Sequence, residues 1–270
     1  MAQGEGGLMS INGHRDDGPG GGPVKVAIAI TDVLAGLNAT VAILAAVEHR
    51  HVSGHGQRID IALLDTIVHF GSNQIVSMFA TGEVPGRWGN EHPNLAPYQV
   101  FRSADGHFIV GAGNDTQFRR LCSAIGKEAL GTDARFRTVA DRNLNRPALI
   151  AELQGVFTTQ RTEHWVERFV EVGLPSAPIN DYKQVFDHPQ VRHRGLRVEQ
   201  QHGSGAVVST VANPIRLSET PVEYRIAPPL LGEHSVEVLQ DVLGKSLAEI
   251  EQLIDAGVVG SPRQASAASE

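Results

Sequence analysis

"KVAIAITDVLAGLNATVAILAAVEHRHVSGHGQRIDIALLD", residues 25–65, decides how this chain is read. It opens on a short apolar run behind one lysine, a segment suited to a buried strand. Thr31 or Asp32 stands where a helix cap would stand. Apolar positions then surround the turn of a long helix, from Val33, Leu34 and Leu37 through Val41, Ile43 and Leu44 to Val47. Such a helix is expected to be buried on every side. It is expected to end near Arg50 and His51, before "SGHGQ" (53–57), whose two glycines supply a tight turn. "RIDIALLD" (58–65) starts with the period-two alternation of a strand at Ile59 and Ile61, and residues 66–82 return to helical spacing and stop at a glycine. Strand, helix, turn, strand and helix in this order is α/β grammar.

The whole chain fits that reading. Its 270 residues suffice for one large or two small domains, and 41% hydrophobic with 20% charged residues is the balance of a soluble globular protein. A net charge of −7 argues against a broad nucleic-acid-binding face. Cys122 is the single cysteine, so there is no disulfide framework and no CxxC metal site, and a reduced, cytoplasmic setting is expected. "MAQGEGGLMSINGHRDDGPGGGP" (1–23) has no basic region followed by an apolar one, so no secretory signal is read there. Lys25, Asp32 and Asn38 interrupt the apolar stretch Val24 to Val47, which favours a buried strand and helix over a membrane span.

Residues 83–97, "EVPGRWGNEHPNLAP", read as a long functional loop. "YQVF" and "HFIVGAG" flank "RSADG", so 98–113 is expected to be a β-hairpin turning at Asp105-Gly106. Helices are expected at about 115–126, 146–159 and 163–172, the last with a Trp165, Phe169, Val172 stripe. "SAPIN" (176–180) suits a strand, and residues 196–217 a second pair of strands around Gly203 and Gly205. Two closing helices follow, with Ser246 and Glu249 spaced as a capping box. The expected organisation is residues 1–82, a loop or linker at 83–97, a helix-rich middle domain at 98–180, a return segment at 181–259 packing on the first, and a disordered tail at 260–270.

Among candidate sites, Asp32 admits two readings. An aspartate at a helix start caps orphan N–H groups and complements the dipole. The same environment keeps a carboxylate ionised, as a carboxylate nucleophile must be. The residues alone leave both open. The glycines of "GEGG" (4–7) and "GPGGGP" (18–23) match neither phosphate-binding fingerprint and read as mobile connector. Twelve histidines include no H-E-x-x-H, and His49 and His51 do not share a helix face. Ser204 in "HGSGA" lacks the nucleophile elbow. Trp88 in "GRWGN" either lines a pocket or anchors its loop.

Several stretches, in order, resemble one family. They are "GGLMS" with "NG" near the start, the aspartate of "AITD", "ILAAVEHR", "SGHGQRIDIALLD", and "GNEHPNLAPYQVF" followed by "DG". Near the end, "NPIRLSETP" and "PPLLGEHSVEVL" match as well. Together they resemble the class III CoA-transferases, the family of formyl-CoA and carnitine CoA-transferases. The resemblance implies a partial Rossmann-like CoA-transferase domain plus a smaller helix-rich α+β domain. It places the covalent nucleophile on Asp32, and a loop covering the site on Gly86, Arg87, Trp88, Gly89 and Asn90. The loop here is shorter and less glycine-rich than that of the formyl-CoA transferases. The implied substrates are an acyl-CoA and a carboxylic acid, with CoA as substrate and no metal or redox cofactor. The implied assembly is an interlocked homodimer.

The resemblance also implies that family members carry a further N-terminal segment with the first strands and helices of the Rossmann-like domain, so that this chain is expected to begin within the family pattern. A sibling group, the 2-methylacyl-CoA racemases, pairs the same aspartate with a histidine that would fall at or before the start of this chain, where none precedes His14. CoA-transferase, racemase and an inactive truncated member therefore stand as the readings, in that order.

Overall fold

The structure, a computed structural model, describes residues 1–260, which fall into two units, Met1–Ile179 and the residues from Asn180 onward. Residues 261–270 of the expected tail lie outside the described residues. The fold is mixed α/β.

In the first unit, helices Ala2–Glu5 (α1) and Leu8–Ile11 (α2) precede a short ribbon of Gly13–His14 (β1) and Gly22–Pro23 (β2). Helix Ile30–Ser53 (α3) follows, then Leu63–Phe70 (α4) and Ser72–Thr81 (α5). Strands Tyr98–Arg102 (β3) and His107–Gly111 (β4) form the expected hairpin, with Arg102 opposite His107 and Asp105-Gly106 in the turn. Helices Asp115–Ala124 (α6), Glu128–Thr132 (α7), Val139–Leu144 (α8), Arg146–Phe157 (α9) and Thr162–Glu171 (α10) lead to Ser176–Pro178 (β5), which pairs antiparallel with β4.

The core of this unit is aromatic. Phe101, Phe108 and Phe169 surround the Phe157 ring at centroid distances of 4.8, 5.2 and 5.8 Å, and Trp165 lies at 5.4 Å. The hairpin supplies the first two rings because alternate strand residues face one side. Phe157 and Phe169 come from the inward faces of α9 and α10. The indole N–H of Trp165 donates to Phe157 O at 2.8 Å, so the buried ring leaves no polar atom unpaired. Cys122, a free thiol, is wholly buried in the same cluster.

Residues 24–82 depart from expectation. α3 forms and stops at Gly54, whose φ of +76° suits the left-handed helix end that glycine adopts freely. Yet Thr31 is its single buried residue, and Val33, Leu37, Val41 and Leu44 are exposed. The segments 25–30 and 58–62, read as strands, have no strand partner among the described residues, and α4 begins already at Leu63. A strand exists only where a neighbour accepts its ladder, and α3 buries only what some other element covers. By length and composition α3 would also suffice to cross a membrane. The helix expected over 66–82 is broken at Gly71 into α4 and α5.

In the second unit, Tyr182–Asp187 (α11) and Pro189–His193 (α12) precede the antiparallel pair Arg197–Gln201 (β6) and Val207–Val211 (β7), around Gly203 and Gly205 as expected. Ser235–Asp241 (α13) and Leu247–Asp255 (α14) close it. The capping box of α14 is present, with Ser246 Oγ accepting from Glu249 N–H at 3.4 Å and Glu249 Oε2 accepting from Ser246 N–H at 2.8 Å. Ile250 is the one fully buried apolar side chain of this unit among the described residues.

Candidate active site

The head of α3 is built from backbone. Ala29 is its N-cap and makes no side-chain cap bond; its carbonyl accepts from Val33 N–H at 3.1 Å. Neither Thr31 nor Asp32 caps the helix, which corrects the capping reading of both. The N–H groups of Thr31 and Asp32 have no acceptor among the described residues. They are two of the orphan donors every helix start carries. Thr31 is buried, and its Oγ1 has no hydrogen-bond partner among the described residues. Asp32, one residue on, is exposed and has no hydrogen bond or ion pair among the described residues. A carboxylate in the first turn of a 24-residue helix, beside free N–H donors, sits in positive potential without being consumed by a cap. Such a group is free to attack an electrophile, and the donors beside it suit an oxyanion.

The 83–97 segment is held from two sides. On one, Arg87 donates to Ser10 O at 3.2 Å and pairs with Asp16, and Gly89 N–H donates to Gly13 O at 2.9 Å. Gly89 has φ of +60°, in the left-handed region that glycine occupies without strain. On the other, two arginines reach back from α8 and α9. Arg142, fully buried, donates through Nε to Ala96 O at 2.9 Å and through Nη1 to Phe136 O at 3.0 Å, and its Nη2 faces Asp115 at 2.9 Å. Arg146, 7% exposed, donates to His92 O at 2.8 Å, Pro93 O at 3.2 Å and Asn143 Oδ1 at 2.9 Å.

Trp88 lies between these anchors. The guanidinium carbons of Arg15 and Arg146 stand 5.1 and 5.2 Å from its ring centroid, within cation–π range. Arg15 is tied to Asp17 at 3.1 Å and, chiefly through that hydrogen bond, holds the Asp17 carboxyl below its usual range. Trp88 both anchors the loop and lines a cleft of about 460 Å³ with Arg15, Glu91, Asn143 and Arg146. Gly86 and Asn90 are exposed, with no side-chain partner among the described residues.

The structure therefore brings Arg87, Trp88 and Gly89 together with the β1–β2 ribbon. No hydrogen bond or ion pair among the described residues joins Asp32 to residues 86–90. Sequence reading missed Arg142 and Arg146. Their signal was positional, since they continue the buried stripe of Leu149, Leu153 and Phe157 backwards at helical spacing. Among the described residues no group of three or more His, Cys, Asp and Glu side chains could hold a metal ion.

Comparison with known proteins gives a consistent answer. A sequence model of the family described as CoA-transferase family III matches residues 1–235. The succinate–glutarate CoA-transferase of Agrobacterium fabrum is 39% identical over 247 residues, 90% of this chain and 60% of its own length. The succinyl-CoA:glutarate CoA-transferase of Homo sapiens is 35% identical over 257 residues, 94% of this chain and 57% of its own length. A crystal structure of a CAIB/BAIF family protein from Brucella suis superposes with a TM-score of 0.76 at 35% identity, covering 90% of this chain and 62% of that one. The chain thus spans about three fifths of the length of the curated relatives it matches.

Proposed function

This chain belongs to CoA-transferase family III, and from that premise we propose that it carries the nucleophile of an enzyme that moves CoA between an acyl-CoA and a carboxylic acid. The observation that carries the proposal is the unpaired Asp32 carboxylate beside the free N–H groups at the head of α3.

In the proposed cycle an Asp32 oxygen attacks the donor thioester carbonyl, and the C–S bond breaks to release CoA thiolate. The product is a mixed anhydride of donor and Asp32. The thiolate then attacks the aspartyl carbonyl, giving an aspartyl-CoA thioester and the free donor carboxylate. The acceptor carboxylate attacks that thioester, forming a second anhydride and releasing CoA thiolate again. Attack of the thiolate on the acceptor carbonyl yields the new acyl-CoA and returns Asp32 as carboxylate. Each step keeps the acyl group activated, which splits one difficult exchange into easier ones. The free N–H groups of Thr31 and Asp32 stabilise the oxyanions of the tetrahedral states. The anchored loop at Gly86–Asn90 shields the anhydrides from water.

No metal or redox cofactor enters this cycle. The relatives' names point to short dicarboxylic acids as donor and acceptor. A cytoplasmic setting and a homodimeric assembly belong to the same reading, on the strength of the single cysteine and of the family resemblance. The racemase alternative has no observation in its favour.

The test is covalent. The protein is incubated with succinyl-CoA, and the peptide holding Asp32 is examined by mass spectrometry for a CoA or hydroxylamine-trapped adduct. The adduct is expected on Asp32 and absent from Asp32→Asn. Its absence, together with α-proton exchange in a 2-methylacyl-CoA, would sink the transferase reading.

A further inference from the structure

The cleft beside Trp88 holds its two guanidiniums in unequal ways. Arg146 is fixed. Its Nη groups donate to His92 O, Pro93 O and Asn143 Oδ1 and reach Glu91 Oε2 at 3.4 Å, and the residue is almost wholly buried. Its Nε–H has no acceptor among the described residues, so the cleft holds a donor that its own groups do not use. Arg15 is held by far less. Its one ion pair among the described residues is with Asp17, in the two-pronged geometry by which a guanidinium grips a carboxylate, Nε to Oδ1 at 3.1 Å and Nη2 to Oδ2 at 3.2 Å. The Arg15 and Asp17 side chains are 47 and 71% exposed. An ion pair so open to water contributes little to stability, so another carboxylate can take the place of Asp17 at small cost. Trp88, Pro93, Pro147 and Ile150 add apolar surface to the same cleft, on which a short methylene chain can rest. Its volume of about 460 Å³ is of the size that holds a small ligand.

We propose that Arg15 determines which acids are exchanged: it grips the carboxylate at the far end of a short dicarboxylic acid, in place of Asp17, while the methylenes of that acid lie along Trp88. The inference rests on the reading given above, in which the loop at Gly86–Asn90 covers the Asp32 site and short dicarboxylic acids are the substrates. The near carboxylate, or the thioester carbonyl made from it, is left for the exchange at Asp32. Asp17 is a placeholder. It occupies the fork while the cleft is empty and turns to water when the acid enters, whereas Glu91 stays with the fixed Arg146. An acid of the same length that ends in a methyl group meets the fork differently. It takes water from the Arg15–Asp17 pair and gives no carboxylate in return, so it is disfavoured.

The experiment measures binding without turnover, in the full 270-residue chain carrying Asp32→Asn. The chain has two tryptophans, and Trp165 is buried in the aromatic cluster, so a ligand-dependent change in indole emission reports Trp88. Its loss in Trp88→Phe checks that assignment. The titrants are glutaryl-CoA and pentanoyl-CoA, whose acyl chains have equal length and differ only in the far carboxylate. Glutaryl-CoA is expected to bind about tenfold tighter, the effect of one charge-assisted, two-pronged contact. Arg15→Gln is expected to erase that preference and to leave pentanoyl-CoA unchanged. Asp17→Asn, which removes the competitor, is expected to tighten glutaryl-CoA by about threefold. A merely structural Arg15 would move both thioesters together and give no gain in Asp17→Asn. Both substitutions change exposed side chains, and circular dichroism checks that the variants still fold. The proposal is overturned if the two thioesters bind equally, if the preference survives Arg15→Gln, or if Asp17→Asn brings no gain. Each of those results leaves the transferase reading standing. Binding of neither thioester would overturn the proposal together with the acyl-CoA reading on which it rests.

Discussion

At the scale of the residue, Arg142 and Asp105 show how charge is put to structural use. Arg142 is buried because its donors are matched to the carbonyls of Ala96 and Phe136, and its guanidinium also lies 4.6 Å from the Phe118 ring centroid. Arg142→Ala removes the donors but leaves the carbonyls buried, so a loss of about 3 kcal/mol is expected. A lowered urea midpoint with unchanged slope would show it. Asp105 accepts from Arg161 Nε at 2.8 Å, from Thr162 N–H at 2.8 Å and from Ser103 Oγ at 3.1 Å. Arg161 above all holds its carboxyl far below the usual carboxylate range. The folded state therefore binds this proton less readily than the unfolded chain. The stability it confers is fully present above about pH 4 and is lost as pH falls toward the depressed folded value. Asp105→Asn is expected to flatten this acid limb, as urea midpoints compared between about pH 2.5 and about pH 6 would read. Asp32 was legible as a special residue from its place after "VAIAI". That it does not cap its helix was not legible, because an N-terminal aspartate reads identically whether or not its side chain turns back.

At the scale of the element, what is local was legible and what is shared was not. The Ser246–Glu249 box follows from a three-residue spacing, and it formed. Ser246→Ala is expected to cost about 1 kcal/mol, seen as faster amide exchange confined to α14. The β3–β4 hairpin followed from its turn residues for the same reason. The runs 25–30 and 58–62 carry equally clear strand patterns but remain unpaired, since a pattern states what a segment requires and a neighbour must supply it. The helix that was to be buried on every side is exposed for that same cause. Arg142 and Arg146 escaped notice because a charged residue in an apolar register is discounted by any rule that sorts residues by polarity.

At the scale of the whole molecule, order is unevenly spread. Between Phe101 and Leu174 a continuous cluster of buried side chains forms, whereas residues 51–65 are all exposed. Limited digestion with trypsin is therefore expected to cut first at Arg58, on a stretch without backbone hydrogen bonds, and to spare 98–179 until later. Early cleavage inside the aromatic cluster would contradict this ordering.

The buried thiol of Cys122 has a use that none of its contacts suggests. Burial pushes it up to about 12, so in the folded chain it is both hidden and protonated. As the sole cysteine, it turns the molecule into its own stopwatch. A thiol-reactive dye can modify the chain only while the aromatic cluster stands open, so the labelling rate times that opening directly. A single cysteine engineered onto the exposed α3 stripe would take up the same dye at once. Two labelling rates on one chain would then report separately on the cluster that holds itself together and on the exposed face of α3.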